Sequence, residues 1–397
     1  MLVFTWVPIV SLHALILHRA WRLGNRASLS EYNKNLVALV TFILVISLYT
    51  VGCTGTIYAA LCDKEADRSK IALAAETVWL ASPVVGTISA LLSRHPWLSQ
   101  SCFKLFPSTR SGWKLTAKRA FLFGIPFCFV FSAGDQVFRQ VITRLVTGDA
   151  NSPVELNQDF LTSVGNAFGY SGSSNAVNLL LGYLSNLTIG PFVNLFAPAS
   201  DSLYDYNNTA NTGIASYFVY AVPEEIGWTG TLYPLLLSHF SHQRNSRWVV
   251  GKSVLLTGVI WGLWHIPFIV LKANSELSPF IGMTYNFLFL LSCIATRCVI
   301  VSLMWPALRP ASHLLRTDSD EEATKPALLP AVVAHAAMNV WWNFFTSLYL
   351  WKDAQAWSIC TGSEFSVLAV AWQFTVAFLM YRASCKDQPP TSTQITP

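Results

Sequence analysis

Long apolar runs separated by short polar connections dominate this chain. They cover 2–17, 36–61, 71–92, 120–133, one or two spans within 160–200, 213–239, 253–271, 281–305, 327–351 and 365–381. A helix needs about 20 mostly apolar residues to cross a bilayer, and a spanning segment must satisfy its own backbone polar groups. The pattern therefore predicts an all-α fold: a polytopic transmembrane helical bundle of about nine or ten membrane helices. The run 120–133 is short and carries Pro126, which predicts a kinked or half-inserted segment. Leu2 to Leu17 has neither a basic n-region nor a cleavage-site pattern, so it reads as a signal-anchor helix rather than a removed leader.

Polar stretches divide the runs. Residues 134–159 read as amphipathic and loop-like, 309–326 as a flexible loop, and 386–397 as a disordered tail. Basic residues flank the runs unevenly: Arg19, Arg22, Arg26 and Lys34 after the first, and Arg94 to Arg119 after the third. Others are Arg244 and Arg247 before 253–271, Arg309 to Lys325 before 327–351, and Arg382 and Lys386 at the end. The positive-inside rule puts all of these loops in the cytosol.

Composition agrees with a membrane protein. Charged residues make up 12% of the chain, about half of the usual 25% for a soluble domain. The 15 Trp and 13 Tyr suit interfacial belts, and the net charge of +5 is spread over loops, which excludes a nucleic-acid footprint. The eight cysteines form no CxxC and mostly lie in apolar runs, so neither a disulfide framework nor a zinc–thiolate site is expected. Two glycosylation sequons begin at Asn186 and Asn207; the first lies in an apolar run, and the second is usable only in a luminal loop.

Against this background a few polar residues stand out. Glu224 and Glu225 are adjacent, with no charged residue from Tyr206 to Pro223 or from Ile226 to Gln243. Ionisable groups at membrane depth are costly and mark function. On a helix the two point about 100° apart, so one should face a cavity and the other a partner helix. A carboxylate in such a cavity can act as general base on a water. His265 lies within WGLWHIP, just before the helix-disturbing Pro267. His335 and Asn339 are four apart and share a helix face. Together they can donate two hydrogen bonds to a developing oxyanion or a substrate carbonyl. A metal set of His265, His335 and Glu224 is the competing reading of the same residues. Residues 1–119 show no comparable histidine–carboxylate pattern, which places the chemistry from about 175 onward.

These motifs resemble the CPBP intramembrane proteases, which include the type II CAAX prenyl endopeptidases (Ras-converting enzymes) and bacterial Abi proteins. The family pattern is Glu-Glu-x-x-x-Arg, then an aromatic-x-x-x-His, then His-x-x-x-Asn. Here it reads Glu224-Glu225-Ile-Gly-Trp-Thr229, Trp261-Gly-Leu-Trp-His265 and His335-Ala-Ala-Met-Asn339. The likeness covers roughly 175–381, leaving 1–170 as N-terminal membrane helices and loops of unknown role. It implies Glu224 as activating base, His265 holding the water, and His335 with Asn339 on the tetrahedral intermediate, Glu225 supporting. Family members are described both as metalloproteases and as metal-independent glutamate proteases, so zinc stays open. One departure is clear: Thr229 stands where the family has arginine. Arg297, an odd cation within 281–305, either replaces it by pairing with Glu225 or snorkels to the headgroups.

Three functions fit the sequence. The first is an intramembrane endopeptidase acting on a membrane-associated substrate, such as a prenylated CAAX tail, with membrane lipid as its surroundings and no nucleic acid. The second is a catalytically impaired scaffold of the same family, favoured by Thr229. The third is a proton-coupled transporter, against which stands the lack of an inverted repeat. Long loops, extra N-terminal helices and the acidic insert point to a eukaryotic chain, for which the resemblance implies the endoplasmic reticulum membrane.

Overall fold

The computed structural model describes residues 2–26, 28–62, 68–92, 110–148, 154–159, 161–162, 170, 177–178, 214–241, 249–273, 279–304, 327–351 and 366–386. Among them the fold is helical. Helix α1 is Leu2–Gly24, α2 Glu31–Cys62 and α3 Arg68–Leu91. Helix α4 (Arg110–Ala117) leads through a π-helical segment, Lys118–Gly124, into α5 (Ile125–Thr147). Helix α6 (Ile214–Gly227) passes through a second π-helical segment, Trp228–Leu232, into α7 (Tyr233–Ser241). Helices α8 (Val249–Ala273), α9 (Pro279–Met304), α10 (Leu329–Leu348) and α11 (Val367–Lys386) complete the bundle. Strands β1 (Val154–Leu156) and β2 (Tyr349–Trp351) pair antiparallel, Val154 opposite Trp351, a small addition to an otherwise all-α chain.

Five described helices are long and apolar enough to cross a membrane: Tyr32–Ala60, Ala74–Leu91, Gly112–Val146, Val249–Pro267 and Gly282–Leu303. The protein is therefore an integral membrane protein. The third of these corrects the expected short span at 120–133, because the helix runs on to Thr147. Residues 134–147 looked loop-like because they carry polar groups. In the fold Ser132, Asp135, Arg139 and Thr143 are all buried, spaced to share one face of α5. Arg139 Nε lies 3.3 Å from Asp135 Oδ1. Most of 160–200, on which the ninth and tenth spans depend, lies outside the described residues, as do the loop 309–326, the tail beyond Lys386, Asn186 and Asn207. Cys53, Cys62, Cys128, Cys293 and Cys298 are free thiols.

Two apolar clusters hold the bundle. One joins Phe42 and Ile46 of α2 and Trp79 of α3 with Trp228, Leu232, Trp261, Trp264 and Phe289. The other joins Phe131 of α5, Val299 of α9, Ala334 and Met338 of α10, and Val376 of α11. Core packing thus crosses the boundary expected near 170–175. Helix α6 and the π-helical segment after it serve both clusters: Ile226 packs on the second and Trp228 sits in the first. Between α8 and α9, Gly258 and Gly262 permit close approach. A Cβ at Gly258 would lie 2.6 Å from the Ile294 Cα, and one at Gly262 2.6 Å from Leu290 Cδ1. This small-xxx-small spacing is a common membrane-helix contact, and it sets Trp261 of α8 beside Arg297 of α9.

Candidate active site

Glu224 and Glu225 lie in the last turn of α6, directly after Pro223 and with Ile226 and Gly227 between them and the π-helical turn. Such turns widen the helix by one residue and recur at functional sites. Here Thr231 Oγ1 donates to the Ile226 carbonyl at 2.9 Å, five residues back, taking up a carbonyl in the widened turn. Both carboxylates are buried, but they face different neighbours, as the 100° offset requires.

Glu225 is enclosed by donors. Arg297 Nη1 lies 2.8 Å from Oε2 and 3.0 Å from Oε1. Thr229 Oγ1, one turn along the helix, also donates to Oε2. The same Arg297 Nη1 is 2.9 Å from Thr229 Oγ1, so guanidinium, hydroxyl and carboxylate form a closed set. His335 Nδ1 stands 2.7 Å from Oε1. A carboxylate partner assigns the proton to Nδ1, which leaves Nε2 as the ring atom free for other work. Arg297 is fully buried and does not snorkel. Its Nε and Nη2 lack hydrogen-bond partners among the described residues. The Trp261 ring lies 4.3 Å from the guanidinium carbon and offsets part of that cost through its negative face.

Glu224 is differently placed. Its Oε2 accepts from Trp261 Nε1 at 2.7 Å and faces His265 Nε2 across 3.8 Å. That separation is too long for a direct hydrogen bond. Two atoms so spaced can each lie about 2.8 Å from one shared water oxygen. His265 keeps 21% of its side chain exposed, against 5% for Glu224, so this is the accessible edge of the cluster. Asn339, one turn beyond His335 on α10, is half-buried and on the same face.

Trp261 links the halves: its N–H holds Glu224, its face covers Arg297, and its ring lies edge-on to His335 at 5.4 Å. The sequence reading quoted Trp261 only as the motif's aromatic position and gave it no role. A donor-bearing aromatic four residues before the histidine was the available signal. It likewise treated Thr229 as a loss, whereas the hydroxyl is bonded to both Glu225 and Arg297.

Among the described residues no three His, Cys, Asp or Glu side chains gather as a metal set would need. Within the set His265, His335 and Glu224, His335 Nδ1 is engaged by Glu225.

The described helices bring two adjacent glutamates and two histidines together inside a membrane-embedded bundle. Residues 207–341, which contain every one of these groups, match the family model described as Rce1-like: type II CAAX prenyl endopeptidase Rce1-like. Through that stretch the chain is similar to the type II CAAX prenyl endopeptidases. No curated protein matches the chain.

Proposed function

We propose that the protein is an intramembrane endopeptidase that hydrolyses a peptide bond of a membrane-associated substrate, a prenylated CAAX tail being the first to test. The observation that carries this reading is the Glu224–His265 pair at 3.8 Å, buried on one side and open on the other. A water held by both loses a proton to Glu224 as its oxygen attacks the carbonyl carbon. The oxyanion forms toward α10, where the Asn339 amide donates and His335 donates from Nε2 when its ring carries a proton on both nitrogens. Collapse breaks the C–N bond while the proton on Glu224 passes to the leaving nitrogen. Glu225 takes no proton in this scheme; it fixes His335 and neutralises Arg297. A lipidated substrate suits a site inside the bilayer, since each buried CH₂ of the anchor contributes about 0.8 kcal/mol. We assign the catalytic unit to 175–381 and, for a eukaryotic chain, the location to the endoplasmic reticulum membrane.

The impaired-scaffold alternative drew on Thr229 alone. An arginine bonded to Glu225 from α9 supports the active reading instead. The test is cleavage of a farnesylated CAAX peptide by the purified chain in proteoliposomes, with the released tripeptide identified by mass. Release by the wild type and none by Glu224→Gln is the expected result. A folded wild type that releases nothing from any prenylated peptide would overturn the proposal.

A further inference from the structure

We propose that α3, which lies outside the stretch matched by the family model, forms part of the active site, and that Trp79 is the residue that positions the His265 ring against Glu224. His265 is surrounded by aromatic rings, all at steep angles: Trp264 at 4.6 Å, Trp79 at 5.3 Å, and Trp261 and Phe289 at 5.5 Å. Three of these come from residues 207–341 and Trp79 does not. A ring confined this way has its plane set by the shape of the cage, because its polar neighbour Glu224 stands too far off to fix it.

Trp79 is not an incidental wall. It stacks on Trp264 with ring centroids 3.8 Å apart and planes 14° from parallel. The two indoles form one slab against which the imidazole edge rests. Neither can tilt without the other. The slab is fixed from α3 as well: Ser82 Oγ accepts from Trp264 Nε1 at 3.2 Å. At the next residue α3 is pressed against α6, where a Cβ at Gly227 would lie 2.3 Å from Pro83 Cβ. One turn beyond Pro83, the Thr87 hydroxyl meets that of Thr231, within the π-helical turn that follows the glutamates, at 2.8 Å. Helix α3 therefore braces both sides of the Glu224–His265 gap: the histidine through Trp79 and Trp264, and the glutamate through Gly227 and Thr231. Misplacing a water-binding ring by about 1 Å can cost on the order of 10²-fold in rate.

The full chain in proteoliposomes supplies two independent readouts. The first is labelling of His265 by diethyl pyrocarbonate, followed by mass spectrometry with exposed His18 as internal reference. It needs no proteolysis. Trp79→Ala should raise labelling of His265 several-fold and leave buried His335 unchanged. The second readout rests on the peptidase reading. Trp79→Ala should lower kcat by about 10²-fold with KM nearly constant, and Trp79→Phe, which keeps a ring to stack, should recover most of it. If Trp79→Ala does not assemble, Trp79→Leu, apolar but without a ring, makes the same contrast with Trp79→Phe. Unchanged labelling of His265, a loss confined to KM, or a Phe variant as poor as the ringless one would each overturn the assignment. A wild type without peptidase activity sinks the functional reading alone, since the labelling still decides the role of Trp79.

Discussion

Glu224 and Glu225 are consecutive, chemically identical and both buried, yet one is saturated and the other is not. Glu225 accepts from an arginine, a threonine and a histidine that reach it from three helices. Glu224 accepts one indole N–H and otherwise faces a half-open histidine across a gap. A carboxylate with every lone pair taken has nothing left to bind a proton or a water. The underfilled neighbour is the one suited to chemistry. On the proposed function, environment separates the two acids into structural and chemical roles, a pattern general to paired-carboxylate sites. A helix supplies the separation at no extra cost, because adjacent residues diverge by about 100°.

The comparison breaks first at Glu224. Glu224→Gln keeps the shape and can still accept from Trp261, but it cannot take a proton from water. Loss of general-base catalysis, typically 10²–10⁴-fold, is expected with the protein fully inserted and its melting temperature little changed. Steady-state cleavage and thermal unfolding in the same detergent check both halves. A Gln variant with wild-type turnover removes Glu224 from the mechanism.

The saturated side should fail by stability instead. Arg297→Leu strands Glu225 and His335, and breaking a buried pair costs about 3–5 kcal/mol. Adding Thr229→Arg returns a guanidinium to the position one turn from the carboxylate, where the family motif carries it, and should restore both melting temperature and activity. No rescue would mean that the cation must come from α9 for reasons beyond charge. An Arg297→Leu protein as stable as the wild type would show that the pairing contributes nothing.

The oxyanion side is a smaller test. Asn339→Ala should lower kcat by roughly 10²-fold with KM little changed, the mark of a donor used mainly in the transition state. His335→Ala should lower kcat similarly and also reduce stability, because it removes a partner of Glu225. Single-turnover cleavage separates the two. A pure KM effect for Asn339→Ala would reassign it to substrate positioning.

Much of this arrangement was legible because polar residues inside apolar runs are rare enough to count. Glu224, Glu225, His265, Arg297, His335 and Asn339 all stood out on that basis, and the structure brings both histidines and Arg297 to the glutamates. What escaped is what hydropathy averages away. The extension of α5 to Thr147 was hidden because Asp135 and Arg139 neutralise each other across one helical turn on a buried face. The π-helical turn at Trp228–Leu232 has no signature in composition, since it depends on Thr231 reaching the Ile226 carbonyl. The approach of α8 to α9 was written in Gly258 and Gly262, a spacing that apolarity alone does not pick out. Trp79 escaped for the opposite reason: an apolar residue in an apolar run looks like core, and only the stacking on Trp264 distinguishes it.

Trp261 carries the smallest predicted effect and the sharpest use of the comparison, because it touches both carboxylate environments at once. Its N–H bonds Glu224 and its ring covers Arg297, the partner of Glu225. Trp261→Phe keeps an aromatic face over the guanidinium and removes the N–H donor. Phe in that place keeps the family's aromatic-x-x-x-His pattern, so the fold should accept it. Glu224 would lose the one donor that fixes its orientation, a hydrogen bond to a charged group of the kind that contributes about 1.5–3 kcal/mol. Part of that returns when water takes the vacant acceptor site, so a loss of about tenfold in kcat is expected. Stability should hold, because the Arg297–Glu225 half is untouched. Combining Trp261→Phe with Glu224→Gln should add no further loss, since the lost donor acts only through Glu224. A Phe variant that instead melts early, with its activity loss additive to that of Glu224→Gln, would place the weight of Trp261 on the Arg297 side and make it part of the saturated half.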